Sequence, residues 1–160
     1  ERSLYFGVGG HPGFRVPLEA GLDFSDYRLS FDEPCRPMLV NFSQGVLCTG
    51  IRTPYPLQNE RVLPLRHDLF TQDAIVLANA PRKVTLSSPR GNHGVCVEYP
   101  QMPYVGFWHT PNTDAPFVCI EPWSMLPGRE GILEELPHMA DVCSAEPGGQ
   151  AENIWSVSVF

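Results

Sequence analysis

Short runs of strict apolar–polar alternation, spread over the whole chain, are the feature that most limits what this sequence can fold into. Leu4, Phe6 and Val8 alternate with Tyr5 and Gly7. Tyr27, Leu29 and Phe31 alternate with Arg28, Ser30 and Asp32. Val84 and Leu86 are set among Lys83, Thr85 and Ser87, and Val95, Val97 and Tyr99 alternate with Cys96 and Glu98. Near the end, Trp155, Val157 and Val159 alternate with Ser156 and Ser158. Successive side chains of a strand point to opposite faces, so a period of two marks half-buried strands. Between the runs stand turn formers: Pro34-Cys35-Arg36-Pro37, Pro54-Tyr55-Pro56, Gly91-Asn92-His93-Gly94 and Pro147-Gly148-Gly149. No long stretch keeps a helical period. The pattern predicts an all-β chain, residues 1–160 as a single domain, folded as an antiparallel sandwich or barrel.

Charge and motif content exclude several functions. The net charge is -7 with only 11 Lys and Arg, which argues against nucleic acid and anionic membrane surfaces as partners, since both need clustered cations. The apolar runs are strand-sized and predict no transmembrane helix. Glu1-Arg2-Ser3-Leu4 lacks the basic start and apolar run of a signal peptide, and the absence of an initiator Met within a strand-like pattern predicts a fragment or processed product. Cys35, Cys48, Cys96, Cys119 and Cys143 form no CxxC pair, which predicts reduced thiols in a cytoplasm. His67, His93, His109 and His138 form no HxH or HxxxH pair. A metal site would have to be assembled wholly by the fold, and the expectation is no metal. Neither GxSxG, a P-loop nor a dinucleotide fingerprint occurs.

Three segments can carry chemistry. In Gly9-Gly10-His11-Pro12-Gly13-Phe14-Arg15, His11 follows a strand and precedes a proline that biases it to extended geometry. The glycines permit close approach of a ligand, and Phe14 offers a stacking surface. The plainer alternative is a turn histidine bonded to backbone. In Ala115-Pro116-Phe117-Val118-Cys119-Ile120-Glu121-Pro122-Trp123, alternation puts Phe117, Cys119 and Glu121 on one face and Val118 and Ile120 on the other. A carboxylate continuing an apolar face suits a general base of raised pKa, with Pro122 ending the ladder and Trp123 as a flat wall. The alternative is an edge-strand Glu reaching solvent. Cys119 beside it reads either as a thiol nucleophile or as a small buried hydrophobe. In Leu69-Phe70-Thr71-Gln72-Asp73-Ala74-Ile75-Val76-Leu77-Ala78-Asn79, Asp73 either receives hydrogen bonds from a sugar or caps a turn.

At these segments the chain resembles the aldose 1-epimerase (galactose mutarotase-like) family, in particular its LacX-like branch, from Leu4 to Phe160. GGHPGF is similar to the family's HPxF signature, and APFVCIEPW to the strand bearing its catalytic glutamate. FSDYRLSF resembles the strand after the histidine. The resemblance implies a large antiparallel β-sandwich, of which this chain is the C-terminal portion. It implies a cofactor-free epimerase that interconverts the α and β anomers of a hexose. In that reading His11 protonates the ring oxygen, Glu121 takes the proton of the anomeric hydroxyl, and Asp73 holds sugar hydroxyls. Phe14, Trp108 or Trp123 stack on the sugar's apolar face. It also implies a preceding N-terminal portion of the same fold, carrying a further arginine and histidine of the pocket. The rivals are a non-catalytic carbohydrate-binding sandwich, an inactive fragment, and a glycoside hydrolase using Glu121 with Asp73.

Overall fold

The computed structural model describes residues 2–160; Glu1 lies outside them. In chain order the strands are β1 (Leu4–Phe6), β2 (Gly13–Arg15), β3 (Arg28–Phe31), β4 (Met38–Phe42), β5 (Cys48–Pro54) and β6 (Val62–Pro64). They continue with β7 (Ile75–Ala78), β8 (Lys83–Ser87), β9 (Gly94–Glu98), β10 (Tyr104–Trp108), β11 (Phe117–Trp123), β12 (Cys143–Ala145) and β13 (Ser156–Val159). Among the described residues there is no α-helix, and only three single-turn 3-10 segments interrupt the strands. Among the described residues no helix is long and apolar enough to cross a membrane.

All pairings between the strands are antiparallel. A six-stranded sheet runs β2-β11-β10-β7-β4-β5, a five-stranded sheet runs β13-β9-β8-β3-β6, and β1 pairs with β12. The two large sheets face each other across one core. Leu77, Val105, Phe107, Val118 and Ile120 from the first pack with Leu29, Phe31, Val84, Leu86 and Val97 from the second. A sandwich of two sheets is the expected way for strands with one apolar face to bury it.

The alternating runs became strands β1, β3, β8, β9 and β13, as the period-two pattern predicts. Strands β4 and β10 have no such signal. In β10 the sequence Tyr104-Val105-Gly106-Phe107-Trp108 is apolar throughout, because both faces are covered and nothing selects a polar residue at alternate positions. The outer face of the six-stranded sheet carries a second apolar cluster of Val40, Cys48, Val76, Ala78 and Tyr104, which Trp123 and Leu126 flank. Pro122 does not end the β11 ladder as expected: it pairs with Val105 within the strand. Its carbonyl accepts from Gly10 N on the side away from β10, so its missing N–H costs the β10–β11 ladder nothing.

Strand β13 forms the edge of its sheet, and Val157, Val159 and the following Phe160 are exposed there. Phe107, wholly buried between the sheets and 6.2 Å from the Phe31 ring, is the opposite case. Phe107→Ala is expected to cost about 3–5 kcal/mol in urea unfolding. Ile51→Ala, at an exposed position on the β5 edge, is expected to shift stability by less than about 0.5 kcal/mol.

Candidate active site

The site is built on the outer face of β11. That strand is buried on both sides: Val118 and Ile120 enter the core, while Cys119 and Glu121 point the other way and are equally shielded. The cover over Glu121 is the chain from Val8 to Pro12, which continues the β2–β11 pairing past the regular strand. Gly10 N donates to Pro122 O at 2.9 Å, and Ile120 N donates to Pro12 O at 3.2 Å. Further along, Ser124 N donates to Val8 O at 2.8 Å. The residues between Gly10 and Pro12 on one side, and between Ile120 and Pro122 on the other, are His11 and Glu121. They face each other across an antiparallel register, at a position without hydrogen bonds between the two backbones, where opposed side chains come closest. The glycines before His11 serve this approach to β11: a Cβ on Gly9 would stand 2.8 Å from Pro122 O.

His11 Nε2 lies 3.3 Å from Glu121 Oε1. The His11 side chain is 62% exposed and that of Glu121 only 5%, so the imidazole lies between the carboxylate and solvent. Trp123 Nε1 donates to Glu121 Oε2 at 3.3 Å. Oε1 is buried and has no hydrogen-bond partner, although His11 is within ion-pair distance. Gly106, opposite Glu121 on β10, leaves space above the carboxylate that a larger residue would narrow: its Cβ would meet Glu121 Oε2 at 3.6 Å. Burial raises the Glu121 pKa, partly offset by His11 and the Trp123 bond and reinforced by Asp73. A carboxyl group so placed holds its proton more tightly than a free one.

Asp73 sits in a left-handed turn at φ 80°, immediately before β7. Its Oδ1 accepts from Trp108 Nε1 at 2.7 Å, and the Trp108 ring meets His11 edge-on at 5.8 Å between centroids. Trp108 therefore joins the aspartate to the histidine. Its apolar strand gave no sign of this role beyond the presence of an aromatic ring. An open cleft of about 360 Å³ is lined by Gly7 to Gly10, the His11–Glu121 pair, Trp123 and Met125. A neighbouring one, lined by Asp73, Gln72, Asn41 and Val76, shares Trp123 as its wall.

Phe14 is not brought to the site. It pairs with Val118 and shares that residue's direction, packing against the core between the sheets. This corrects the expectation of a stacking surface: the period of two that turns Gly13 and Arg15 outward turns Phe14 inward. Cys119 lies on the same face as Glu121, and burial together with the Glu121 charge pushes its thiol up to about 11. Such a thiol stays protonated at neutral pH and is a weak nucleophile. Elsewhere, His67 Nδ1 and His109 Nε2 meet at 3.1 Å, with His109 wholly buried against Phe24 and Phe70. Burial lowers the His109 pKa, which favours the neutral ring.

No family model matches the chain. The LacX proteins of Lactococcus lactis subsp. lactis, plasmid and chromosomal, are each 34% identical to it over 160 residues, covering 96% of this chain and 53% of their own length. A galactose mutarotase related enzyme from Lactobacillus acidophilus superposes with a TM-score of 0.80 at 25% identity, over 99% of this chain and 52% of that one. A galactose mutarotase-like protein from Lactobacillus casei gives a TM-score of 0.80 at 27% identity, over 99% and 54%. The chain thus spans about half the length of the proteins it matches.

The buried carboxylate makes a testable demand on stability. With the folded pKa of Glu121 raised, the fold favours the protonated form. The contribution is full below the unfolded pKa and is lost as pH rises through the folded one. Glu121→Gln should therefore raise stability at neutral pH by about 1–2 kcal/mol. Urea midpoints should converge with those of the unaltered chain as pH falls into the ordinary carboxylate range.

Proposed function

Because this chain is related to the LacX proteins and takes up about half of a galactose mutarotase-like fold, we propose that it carries the acid–base pair of an aldose 1-epimerase acting on a hexose. The observation behind the reading is the 3.3 Å pairing of exposed His11 with a desolvated Glu121 whose Oε1 has no hydrogen-bond partner. Glu121 removes the proton of the C1 hydroxyl as protonated His11 donates to the ring oxygen. The C1–O5 bond breaks and the open-chain aldehyde forms. Rotation about C1–C2 presents the other carbonyl face, and closure with the roles reversed yields the other anomer. No electron leaves the sugar, so the two side chains suffice for the chemistry. Asp73, oriented by Trp108, accepts hydrogen bonds from ring hydroxyls, and Trp123 walls the sugar.

The same proposal gives the remainder of the fold a task. The preceding portion completes the pocket and covers apolar surface that stands exposed here, including the β13 edge. The five free thiols accord with a cytoplasmic setting.

Polarimetry on freshly dissolved α-glucose and α-galactose tests the reading. The chain, alone or with the N-terminal portion restored, should accelerate mutarotation. Glu121→Gln and His11→Asn should each lose at least about 100-fold. Asp73→Ala should chiefly raise KM, by about tenfold, as expected for a lost hydrogen bond to a charged group. Sugar binding without acceleration, in both forms of the protein, would replace the epimerase with a carbohydrate-binding module.

A further inference from the structure

Three donor atoms of different chemistry converge where His11 meets β11. A ring nitrogen of His11, Cys119 Sγ and a carboxylate oxygen of Glu121 all lie within 4.8 Å of one another. The sequence hides this set, since residue 11 is more than a hundred positions from the other two and meets them only through the β2–β11 register. The 3.3 Å between His11 Nε2 and Glu121 Oε1 matches the edge of roughly 3.3 Å between two ligands each about 2.0 Å from a tetrahedral zinc ion. Glu121 is 4% exposed, and its Oε1 lacks a hydrogen-bond partner, so a buried lone pair stands unfilled at the same point. Cys119 Sγ lies close by, near Gly13, where a Cβ would sit 3.5 Å from it. The exposed imidazole can turn to close the remaining gap, and the open cleft beside Gly9 and Gly10 gives an ion a way in.

We infer that His11, Cys119 and Glu121 form a binding site for a borderline-soft divalent cation, Zn²⁺ or Co²⁺, with the fourth tetrahedral position open to solvent. A nitrogen, a sulfur and one carboxylate oxygen suit these ions. Mg²⁺ and Ca²⁺ want six or more oxygens at wider spacing and gain nothing from a thiolate. On binding, the Cys119 S–H bond breaks, a sulfur–metal bond forms, and the thiol proton passes to solvent, with no change of oxidation state. The ion takes up the two atoms that proton transfer to and from a sugar would require. It is therefore an inhibitor of the epimerase, a consequence that rests on the proposed function, whereas the binding itself does not.

Titrating Co²⁺ into the reduced chain and following the thiolate-to-cobalt charge-transfer absorption tests the site without reference to activity. A band that saturates at one equivalent and is displaced by Zn²⁺ is expected. Cys119→Ser, a one-atom change, should abolish it. His11→Ala, at an exposed position where truncation leaves the core intact, should weaken Co²⁺ binding by more than about tenfold, since even loss of an outer partner costs that much. Absence of the band, its survival in Cys119→Ser, or unchanged affinity in His11→Ala would each overturn the assignment. If the chain epimerises aldoses, saturating Zn²⁺ should return the rate to the spontaneous value. A chain silent toward aldoses that still shows the cobalt band would sink the epimerase and leave the metal site standing.

Discussion

Strand β11 is buried on both faces, and every feature of the site follows from having a carboxylate there. Its inner residues, Val118 and Ile120, lock the strand into the core between the sheets. Its outer residues are then held in fixed positions on a surface that the chain from Val8 to Pro12 closes over. A charge so placed is costly unless something compensates it. Here the compensation is incomplete: one Trp N–H, and an imidazole in range of an oxygen that no hydrogen bond satisfies. The unfinished solvation keeps the Glu121 proton affinity high.

The histidine owes its position to backbone pairing. Two hydrogen bonds on either side fix the register, so His11 stands across from Glu121 although the segment is too irregular to count as a strand. Trp108 extends the arrangement sideways by reaching Asp73 with its N–H and His11 with its ring edge. His11, Glu121 and Asp73 therefore come from separate parts of the chain: Glu121 from β11, His11 from the irregular segment paired beside it, and Asp73 from the turn that precedes β7.

The same proximity carries both proposals made for this site. His11 and Glu121 stand 3.3 Å apart, and the Cys119 thiol lies within 4.8 Å of them. Proton transfer and metal binding would draw on the same lone pairs. Cys119 belongs to the second proposal alone, and its buried thiol keeps its proton in the absence of an ion.

The amino-acid sequence by itself determined the all-β class, because a period of two in half-buried runs such as Lys83–Ser87 admits no other regular structure. It also singled out Glu121, since alternation placed a carboxylate on the face shared by Phe117 and Cys119, and His11, stiffened by Pro12. Tertiary structure decided the rest. Strand β10 was hidden because a strand covered on both faces loses the alternation. Phe14 turned inward because the β2 register assigns it to the core beside Val118. Pro122 stayed within its strand because its imide nitrogen faces away from β10, a direction only the sheet defines. The meeting of His11, Cys119 and Glu121, and the link from Asp73 to Trp108, depend on contacts between residues far apart in the chain, which local periodicity does not encode.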